Sequence, residues 1–181
     1  DAKAVHAEVG SWAEEHVLAA LVEFMTVYVF LQTFSIPGSI FLSLMGGALF
    51  GIGLGFVAVS LAAAAGACCS YGLAYGWVGE LVAWLVPERV VQLDGLVTRH
   101  RAHLLNYMLF LRVTPLVPNW AVNAGAPLCS ALPFRIFATG TLFGMMPATL
   151  VYVRAGVELH NLASTSDAVP LEAVAVLLGL G

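Results

Sequence analysis

The chain has 181 residues, of which 60% are hydrophobic and only 10% are charged, and its mean hydropathy is +0.91. Because soluble domains carry about 25% charged residues, this composition excludes an ordinary soluble protein and predicts an integral membrane protein with one membrane domain. The net charge is −4 and lysine occurs only at Lys3, so no basic face could neutralise the phosphates of a nucleic acid, and that class of partner is excluded.

The most polar part of the chain is residues 1–16, which we expect to precede a single membrane domain at residues 17–181. Ser11 and Glu14 form a capping box in front of an apolar run and predict that a helix begins there. The run is long enough to span a bilayer, which takes about 20 residues. Glu23 lies within it, and this carboxylate faces the protein interior or a wet cavity if it is deep, or the headgroups if it is shallow.

The first interruption of the apolar pattern is Pro37, Gly38 and Ser39. Proline removes a backbone donor and glycine permits a turn, so a helix is expected to end here. The following apolar segment, residues 40–50, is too short to cross a bilayer and ends in a glycine-rich run. This pattern predicts a re-entrant hairpin at about residues 35–53, which enters the membrane and returns to the same side. A short loop before one continuous helix is the alternative.

The next stretch, residues 54–78, is a predicted spanning helix that is rich in small side chains. Small residues four positions apart let helix backbones approach closely in lipid, within the chain, against a helix-packing partner or in a homo-oligomer. The three series are Gly47, Gly51 and Gly55; Ala62, Gly66 and Ser70; and Gly72 and Gly76.

The polar middle of the chain, residues 79–103, collects arginines and histidines. By the positive-inside rule this loop is cytoplasmic, where it could touch anionic headgroups. His100 and His103 are spaced like metal ligands, but no nearby cysteine or carboxylate completes a set, so we expect no metal site.

The second interruption follows an apolar segment that is again too short to span. Its polar and helix-breaking residues are Arg112, Pro115, Pro118, Asn119 and Asn123. Because lipid supplies no hydrogen bonds, a broken helix survives only where it is buried in protein or lines a wet cavity. The pattern therefore predicts a second re-entrant hairpin, at about residues 104–132.

Arg112 is the one charged residue of this second break, and it needs partners. A charged side chain at the bilayer centre costs about 2.5–3.5 kcal/mol on insertion scales. Arginine offers five donors and no acceptor, which suits carbonyls freed by the prolines or the phosphate of a lipid. Arg112 could therefore pin the hairpin, contact headgroups in a wet groove, or both. Asn119 and Asn123 offer donors and acceptors for the remaining broken backbone.

The order of these segments is a weak internal repeat, since the second hairpin is also followed by a spanning helix, at residues 134–153. If the basic loop is cytoplasmic, the two hairpins enter from opposite faces and their tips meet near the midplane, where transporters place their binding sites. The predicted fold is an all-α membrane protein. It is an inverted repeat of two opposed re-entrant helical hairpins, each followed by a transmembrane helix, with flanking transmembrane helices.

Both ends of the chain are expected to be truncated. It begins at Asp1, and the apolar run after Pro170 is too short for a complete C-terminal span, so targeting signals cannot be judged. No hydrolase, metalloprotease or nucleotide-binding motif occurs, so we expect neither an enzyme nor a cofactor. The cysteines lie in apolar surroundings and are expected to be free: Cys68, Cys69 and Cys129.

Several of these motifs resemble those of a known family, the transmembrane protein 41 branch of the DedA/VTT (SNARE-associated Golgi protein) superfamily. The second break is similar to its R-x-x-P-x-x-P-N-W-x-x-N signature, carried here by Arg112, Pro115, Pro118, Asn119, Trp120 and Asn123. The run Ile36-Pro37-Gly38-Ser39 resembles the family's first re-entrant segment, and the resemblance extends over roughly residues 30–160.

The resemblance implies two opposed re-entrant hairpins, phospholipid scrambling at the endoplasmic reticulum, and roles in autophagosome and lipoprotein formation. Bacterial relatives are thought to flip lipid carriers with acidic residues near the first hairpin. Ser39 stands where many of them have a carboxylate, which favours passive scrambling over proton-driven transport.

We therefore expect an energy-independent phospholipid scramblase in the endoplasmic reticulum membrane, whose lipid pathway runs between the two hairpins. The first alternative is a proton-coupled lipid-carrier flippase or secondary transporter, with Glu23 as the coupling acid. The second is a structural membrane subunit or tether, which would use the faces of small residues for docking.

Overall fold

The computed structural model describes residues 16–85, 87–114 and 117–165. The predicted polar segment before residue 16, the predicted incomplete span after Pro170, and Pro115 lie outside these residues. The described elements are α1 (Val17–Thr33), α2 (Ser39–Leu73), a π-helical turn (Ala74–Val78), α3 (Gly79–Leu85), α4 (Pro87–Arg99), a 3-10 turn (Arg101–His103), α5 (Leu104–Val113), α6 (Asn119–Gly125), a 3-10 turn (Ala126–Leu128) and α7 (Phe134–Thr165). The described part of the chain contains no strand, which confirms the all-α prediction.

Two stretches of the described chain are long and apolar enough to cross a membrane, Ser39–Gly76 and Phe134–Ala163. The helix α1 is also apolar but has 17 residues, the lower end of the length of about 17–25 residues that a spanning helix needs. Large apolar side chains such as Phe30, Phe143 and Val151 are exposed on the outside of the bundle, as expected for a surface that faces lipid.

The stretch Ser39–Gly76 is not straight, because the chain reverses at Gly51. Gly51 has φ 71°, a left-handed conformation that glycine adopts without strain. A Cβ on Gly55 would lie 2.5 Å from the carbonyl oxygen of Gly46, whereas residues nine positions apart on a straight helix are separated by about 13 Å. The element α2 is therefore two helical arms: a short arm (residues 39–50) and a long arm (residues 52–73).

The short arm of α2 packs antiparallel against α1. The rings of Phe24 and Phe50 lie 5.4 Å apart, and the hydroxyls of Tyr28 and Ser43 share a hydrogen bond of 3.1 Å. The chain thus turns between α1 and the short arm, at residues 34–38, which we call the first break. The structure differs from the hairpin predicted at about residues 35–53, because these residues contain only the short arm with a turn at each end. The helix that pairs with the short arm across the first break is α1, which ends at Thr33.

The helices α5 and α6 form a second hairpin, which is joined by side-chain contacts rather than by close packing of the two helices. The Arg112 guanidinium on α5 donates to the side-chain oxygen of Asn123 on α6 at 2.6 Å, so the chain turns between Val113 and Asn119. We call this turn, around Pro118, the second break. Next to it, Met108 of α5 and Val122 of α6 belong to one buried apolar cluster.

The long arm of α2 and α7 pack antiparallel along both hairpins. Tyr71 and Phe137 are in ring contact at 4.7 Å, near the second hairpin. At the other end of α7, a Cβ on Gly47 of the short arm would overlap the carbonyl of Val153, so glycine is required for this backbone contact. Each long helix therefore connects the two hairpins.

Most residues of the three predicted small-residue series pack against other helices of the same chain. These members are buried between helices: Gly47, Gly55, Ala62, Gly66 and Ser70. Gly72 and Gly76 have open space around them instead.

The polar middle of the chain folds into α3 and α4, and one carboxylate ties α4 to the second hairpin. Asp94 accepts hydrogen bonds from the backbone N–H of Ser130 at 2.8 Å and from its hydroxyl at 3.0 Å. Arg99, Arg101 and His103 are exposed beyond this contact, and their contact with headgroups stays a prediction.

Candidate functional site

The two breaks, which are far apart in sequence, line one cavity of about 180 Å³. The part of the chain around the first break contributes Gln32, Pro37 and Ser39, and the part around the second contributes Asn119, Trp120 and Asn123. The sequence placed Pro37 and Ser39 in one hairpin and the two asparagines in the other, and the structure brings these four together.

The first break is shaped by the backbone alone. Ser35 has φ 55° and Gly38 has φ 132°, both in the left-handed half of backbone space. The N–H of Ile36 donates to the carbonyl of Leu31 at 2.9 Å, which closes the end of α1. The short arm then begins at Ser39, whose carbonyl accepts a hydrogen bond from the Ser43 hydroxyl at 2.8 Å.

The second break is held by a charged side chain. Arg112 is 6% exposed, and its Nε and Nη2 donate to the hydroxyl of Thr141 at 3.1 and 2.8 Å. Nη2 also donates to Asn123 Oδ1 at 2.6 Å, and Nη1 donates to Asn119 Oδ1 at 3.3 Å and to the Asn119 carbonyl at 3.5 Å. The guanidinium lies 5.3 Å from the ring centre of Phe137. Arg112 thus joins α5, α6 and α7.

These contacts favour one of the two roles that the sequence left open for Arg112. The guanidinium binds three protein side chains and one backbone carbonyl, so it pins the second hairpin. Arginine has five N–H donors, and Arg112 already makes five hydrogen bonds within the protein. A direct contact with a lipid phosphate would therefore require some of these hydrogen bonds to open. Gly144 leaves room for the Arg112 side chain to pack against α7, since a Cβ on residue 144 would lie 2.6 Å from the Arg112 Cβ.

Thr141 is the member of this network that the sequence did not identify. It is fully buried within a mainly apolar helix that is long enough to span a membrane. A buried arginine needs acceptors, and threonine is one of the few that a membrane helix offers at low cost. The sequence therefore indicated only that Arg112 needs an acceptor. It carried no motif that would select Thr141 over the nearby Thr139.

The side-chain amides of the second break have a fixed orientation. Arginine only donates hydrogen bonds, so the amide oxygens of Asn119 and Asn123 must face Arg112. The two NH₂ groups are then left for the cavity that these residues line. Asn119 is exposed, so its NH₂ group is the accessible one, whereas Asn123 is 1% exposed and reaches the cavity only at its edge.

Gln32 is the second functional residue that the sequence did not assign. It is 8% exposed and its stem packs against Gly66, where a Cβ would lie 2.5 Å from the Gln32 Cβ. Its amide lies on the cavity wall, and within the described residues no hydrogen-bonding partner is found for it. The sequence showed only a polar residue in an apolar helix, without saying which way it faces.

The remaining predicted site residues lie at or away from the cavity. Pro118 directly precedes α6, with φ −59° and ψ 139°, and Gly38 directly precedes the short arm. Glu23, the predicted coupling acid, is exposed on α1 and does not line the cavity. It lies nine residues before Gln32 on the same helix, a distance of about 13 Å along the axis.

The cavity can hold a polar group at a place where apolar surface surrounds it. Its walls offer neutral amides and hydroxyls, whereas Phe34, Ile36 and Trp120 are exposed nearby. No group of three histidine, cysteine or acidic side chains lies close enough to hold a metal ion in residues 16–85, 87–114 and 117–165. The chemistry available is therefore binding by hydrogen bonds.

Comparison with known proteins gives the family. The VTT domain matches the chain over residues 36–158. An uncharacterized membrane protein of Arabidopsis thaliana is 41% identical over 100% of this chain and 63% of its own length. Transmembrane protein 41B of Mus musculus is 39% identical over 99% of this chain and 62% of its own length. The transmembrane protein 41 homolog of Dictyostelium discoideum is 37% identical over 99% of this chain and 54% of its own length.

No solved structure matches the chain. The chain spans between about half and two thirds of the length of the curated relatives it matches. The matched region contains residues 36–38 of the first break, the short arm, the second break and most of α7. The chain therefore belongs to the VTT domain family, in the DedA/VTT superfamily, as a membrane protein similar to the transmembrane protein 41 proteins.

Proposed function

We propose that this protein is an energy-independent phospholipid scramblase, in which headgroups pass the polar cavity between the two breaks while the acyl tails stay in lipid. The observation that carries this proposal is that both breaks, from separate halves of the chain, line the same cavity. Neither break could be exposed to hydrocarbon without unsatisfied backbone groups. A polar site at the meeting point of two broken helices supports passage of a polar group.

The same proposal gives the hairpins their position in the membrane. We propose that the first hairpin (the end of α1 and the short arm) and the second (α5 and α6) enter from opposite faces, as an inverted repeat. The antiparallel packing of α7 and the long arm, each touching both hairpins, supports this arrangement. In such repeats, sites at the meeting point are accessible from both sides in turn.

The energetic reason is the cost of moving a headgroup through hydrocarbon. An unsatisfied polar group in an apolar medium costs several kcal/mol, and a charged one costs more. The amides of Gln32, Asn119 and Asn123 would replace part of the lost hydration. No energy source is required, because the cavity only lowers the barrier between two leaflets.

The driven alternative needs an acid in the pathway. No carboxylate lines the cavity in the described part of the chain, and Glu23 is exposed on another part of α1. No contact in the described chain favours the tether alternative. We further propose the endoplasmic reticulum membrane as the location, with the exposed Arg99 and Arg101 on the cytoplasmic side, in keeping with the positive-inside rule.

The test is a reconstitution. Purified protein is inserted into liposomes that contain a trace of fluorescent phospholipid, without nucleotide and without a pH gradient, and an impermeant reductant bleaches the outer leaflet. A scramblase makes nearly all of the label accessible, whereas protein-free vesicles lose about half of it. If inserted, monodisperse protein leaves the inner-leaflet label protected, the proposed function is wrong.

A further inference from the structure

We propose that the cavity between the two breaks is a binding site for one phosphate oxyanion, held by the amide N–H groups of Gln32, Asn119 and Asn123. Its physiological role as a station for a lipid phosphodiester rests on the proposed function, while the binding chemistry does not. The site is built from side chains that no sequence motif unites, since Gln32 lies in α1 and the asparagines lie in α6.

The first support is an uncompensated charge. Arg112 is buried, and each of its hydrogen-bonding partners, Thr141, Asn119 and Asn123, is neutral. No carboxylate in the described ranges forms an ion pair with it. A buried cation without a counter-ion is costly, and an anion nearby would relieve that cost. The site next to the guanidinium therefore favours negative charge.

The second support is the polarity of the cavity wall. Because the oxygens of Asn119 and Asn123 accept from Arg112, these residues present NH₂ donors to the cavity. Each amide oxygen accepts one hydrogen bond from the guanidinium, which orients the positive end of the amide dipole away from Arg112. A donor-lined wall suits an acceptor-rich ligand, and a phosphate offers only oxygen acceptors when ionised.

The third support is an unused buried amide on the opposite wall. Gln32 is more than nine-tenths buried, lines the cavity and has no protein hydrogen bond within the described residues. The Gln32 amide opens onto the cavity, so a ligand or water is expected to satisfy it there. Beside it, the short arm begins at Ser39, and the first N–H groups of a helix have no acceptor in that helix.

The size of the cavity limits what can enter. At about 30 Å³ for each water molecule, a volume of about 180 Å³ holds roughly six waters or one phosphate group with a few waters. It does not hold a lipid. The diacyl part of a phospholipid would stay outside, next to the exposed Ile36 and Trp120.

Trp120 provides the measurement, because it lines the cavity and is 59% exposed. Replacement of the other three tryptophans by phenylalanine, at Trp12, Trp77 and Trp84, leaves it as the sole indole reporter. The protein in detergent is titrated with inorganic phosphate and with dihexanoyl phosphatidylcholine. Sodium chloride at matched ionic strength and dihexanoyl glycerol, which lacks the phosphate, are the controls. We expect a saturable change with both phosphate probes and none with the controls.

Two variants of Gln32 test the wall. Gln32→Glu keeps the shape of the side chain and adds a negative charge, and it should weaken the binding of both phosphate probes at least tenfold. Asn106→Asp makes the same change of charge at an exposed position of α5 outside the cavity, and it should leave binding unchanged. If Gln32→Glu fails to fold, Gln32→Leu removes the donor without adding charge and should weaken binding about three- to tenfold.

Each outcome decides between the site and the function. No saturable change with either phosphate probe in folded protein overturns the site, as does equal binding by wild type and both Gln32 variants. A response to inorganic phosphate alone supports the anion site and assigns it to a free anion, whereas a response to the short-chain lipid assigns it to headgroups. Scrambling without phosphate binding would leave the proposed function standing and refute the site. Binding without scrambling would do the reverse.

Discussion

The two breaks interrupt a helix by different physical means. The first has no charged side chain and depends on backbone geometry, with Gly38 and Ser35 at positive φ. The second depends on Arg112 of α5, whose guanidinium donates hydrogen bonds to two other helices, α6 and α7. The comparison teaches that a chain can end a helix away from water either by a turn that only glycine tolerates or by a buried donor. The second solution also brings a charge to the cavity.

The largest expected effect follows from removal of that charge. Arg112→Leu leaves the acceptors of Thr141, Asn119 and Asn123 without their donor, and each unsatisfied buried polar group costs about 1–3 kcal/mol. We expect a strong loss of thermal stability in detergent and scrambling close to background. Arg112→Lys is the control, because its single ammonium keeps the charge but cannot reach every acceptor. It should fall between wild type and Arg112→Leu. Equal melting temperatures for the three proteins would refute the pinning role.

The next effect tests the acceptor on α7. Thr141→Val keeps the shape and removes the hydroxyl that accepts from Arg112, which should cost about 1.5–3 kcal/mol for a hydrogen bond to a charged group. Thr139→Val is the matched control, because that hydroxyl is exposed and donates to the Arg135 carbonyl of its own helix. Thermal unfolding of both variants gives the comparison. A larger loss for Thr139→Val would contradict the network.

The backbone geometry of the first break is tested by substituting its glycine with alanine, which adds one methyl group. Gly38→Ala meets no atom within 4 Å, but alanine at φ 132° is strained by about 1–3 kcal/mol. Gly53→Ala also has open space, yet Gly53 lies in a helical arm, where alanine is favoured over glycine by about 0.5–1 kcal/mol. The two substitutions should therefore shift the melting temperature in opposite directions. Shifts of the same sign would show that backbone geometry does not hold the first break.

The smallest effect concerns the arms of the first hairpin. Ser43→Ala removes its hydrogen bond with Tyr28 and should cost about 0.5–1.5 kcal/mol, well below Arg112→Leu. Tyr28→Phe removes the same bond from the other side. The double variant should lose little more than the worse single one, because both substitutions delete one interaction. Additive losses would mean that the two hydroxyls act separately.

The sequence predicted the second break better than the first. A lone arginine between helix breakers in an apolar run needs local acceptors, and Asn119 and Asn123 were the nearest in sequence. The partner on α7 could not be selected, because it depends on how a distant helix is rotated. The reversal at Gly51 was part of a glycine series that suits close packing equally well, and only the backbone dihedral distinguishes the two uses.

Sequence patterns could not predict how deep in the membrane a polar residue lies or which way its side chain faces. Glu23 and Gln32 are both polar residues of α1, and a pattern with little amphipathic character gives no reason to place one outside and the other in the cavity. Their difference comes from the contact of α1 with Gly66 of the long arm, where Gln32 packs. Tertiary packing thus decides which polar residue belongs to the site.

The claim that the two breaks form one functional site is tested most directly by a double-mutant cycle on the scrambling rate. Gln32→Leu alters the side of the first break and Asn119→Ala alters the side of the second, and both residues line the cavity. If headgroups pass one shared site, each variant slows scrambling and the double variant is hardly slower than the worse single one. If the two losses multiply as for independent sites, or if neither variant slows a folded protein, the shared pathway is contradicted.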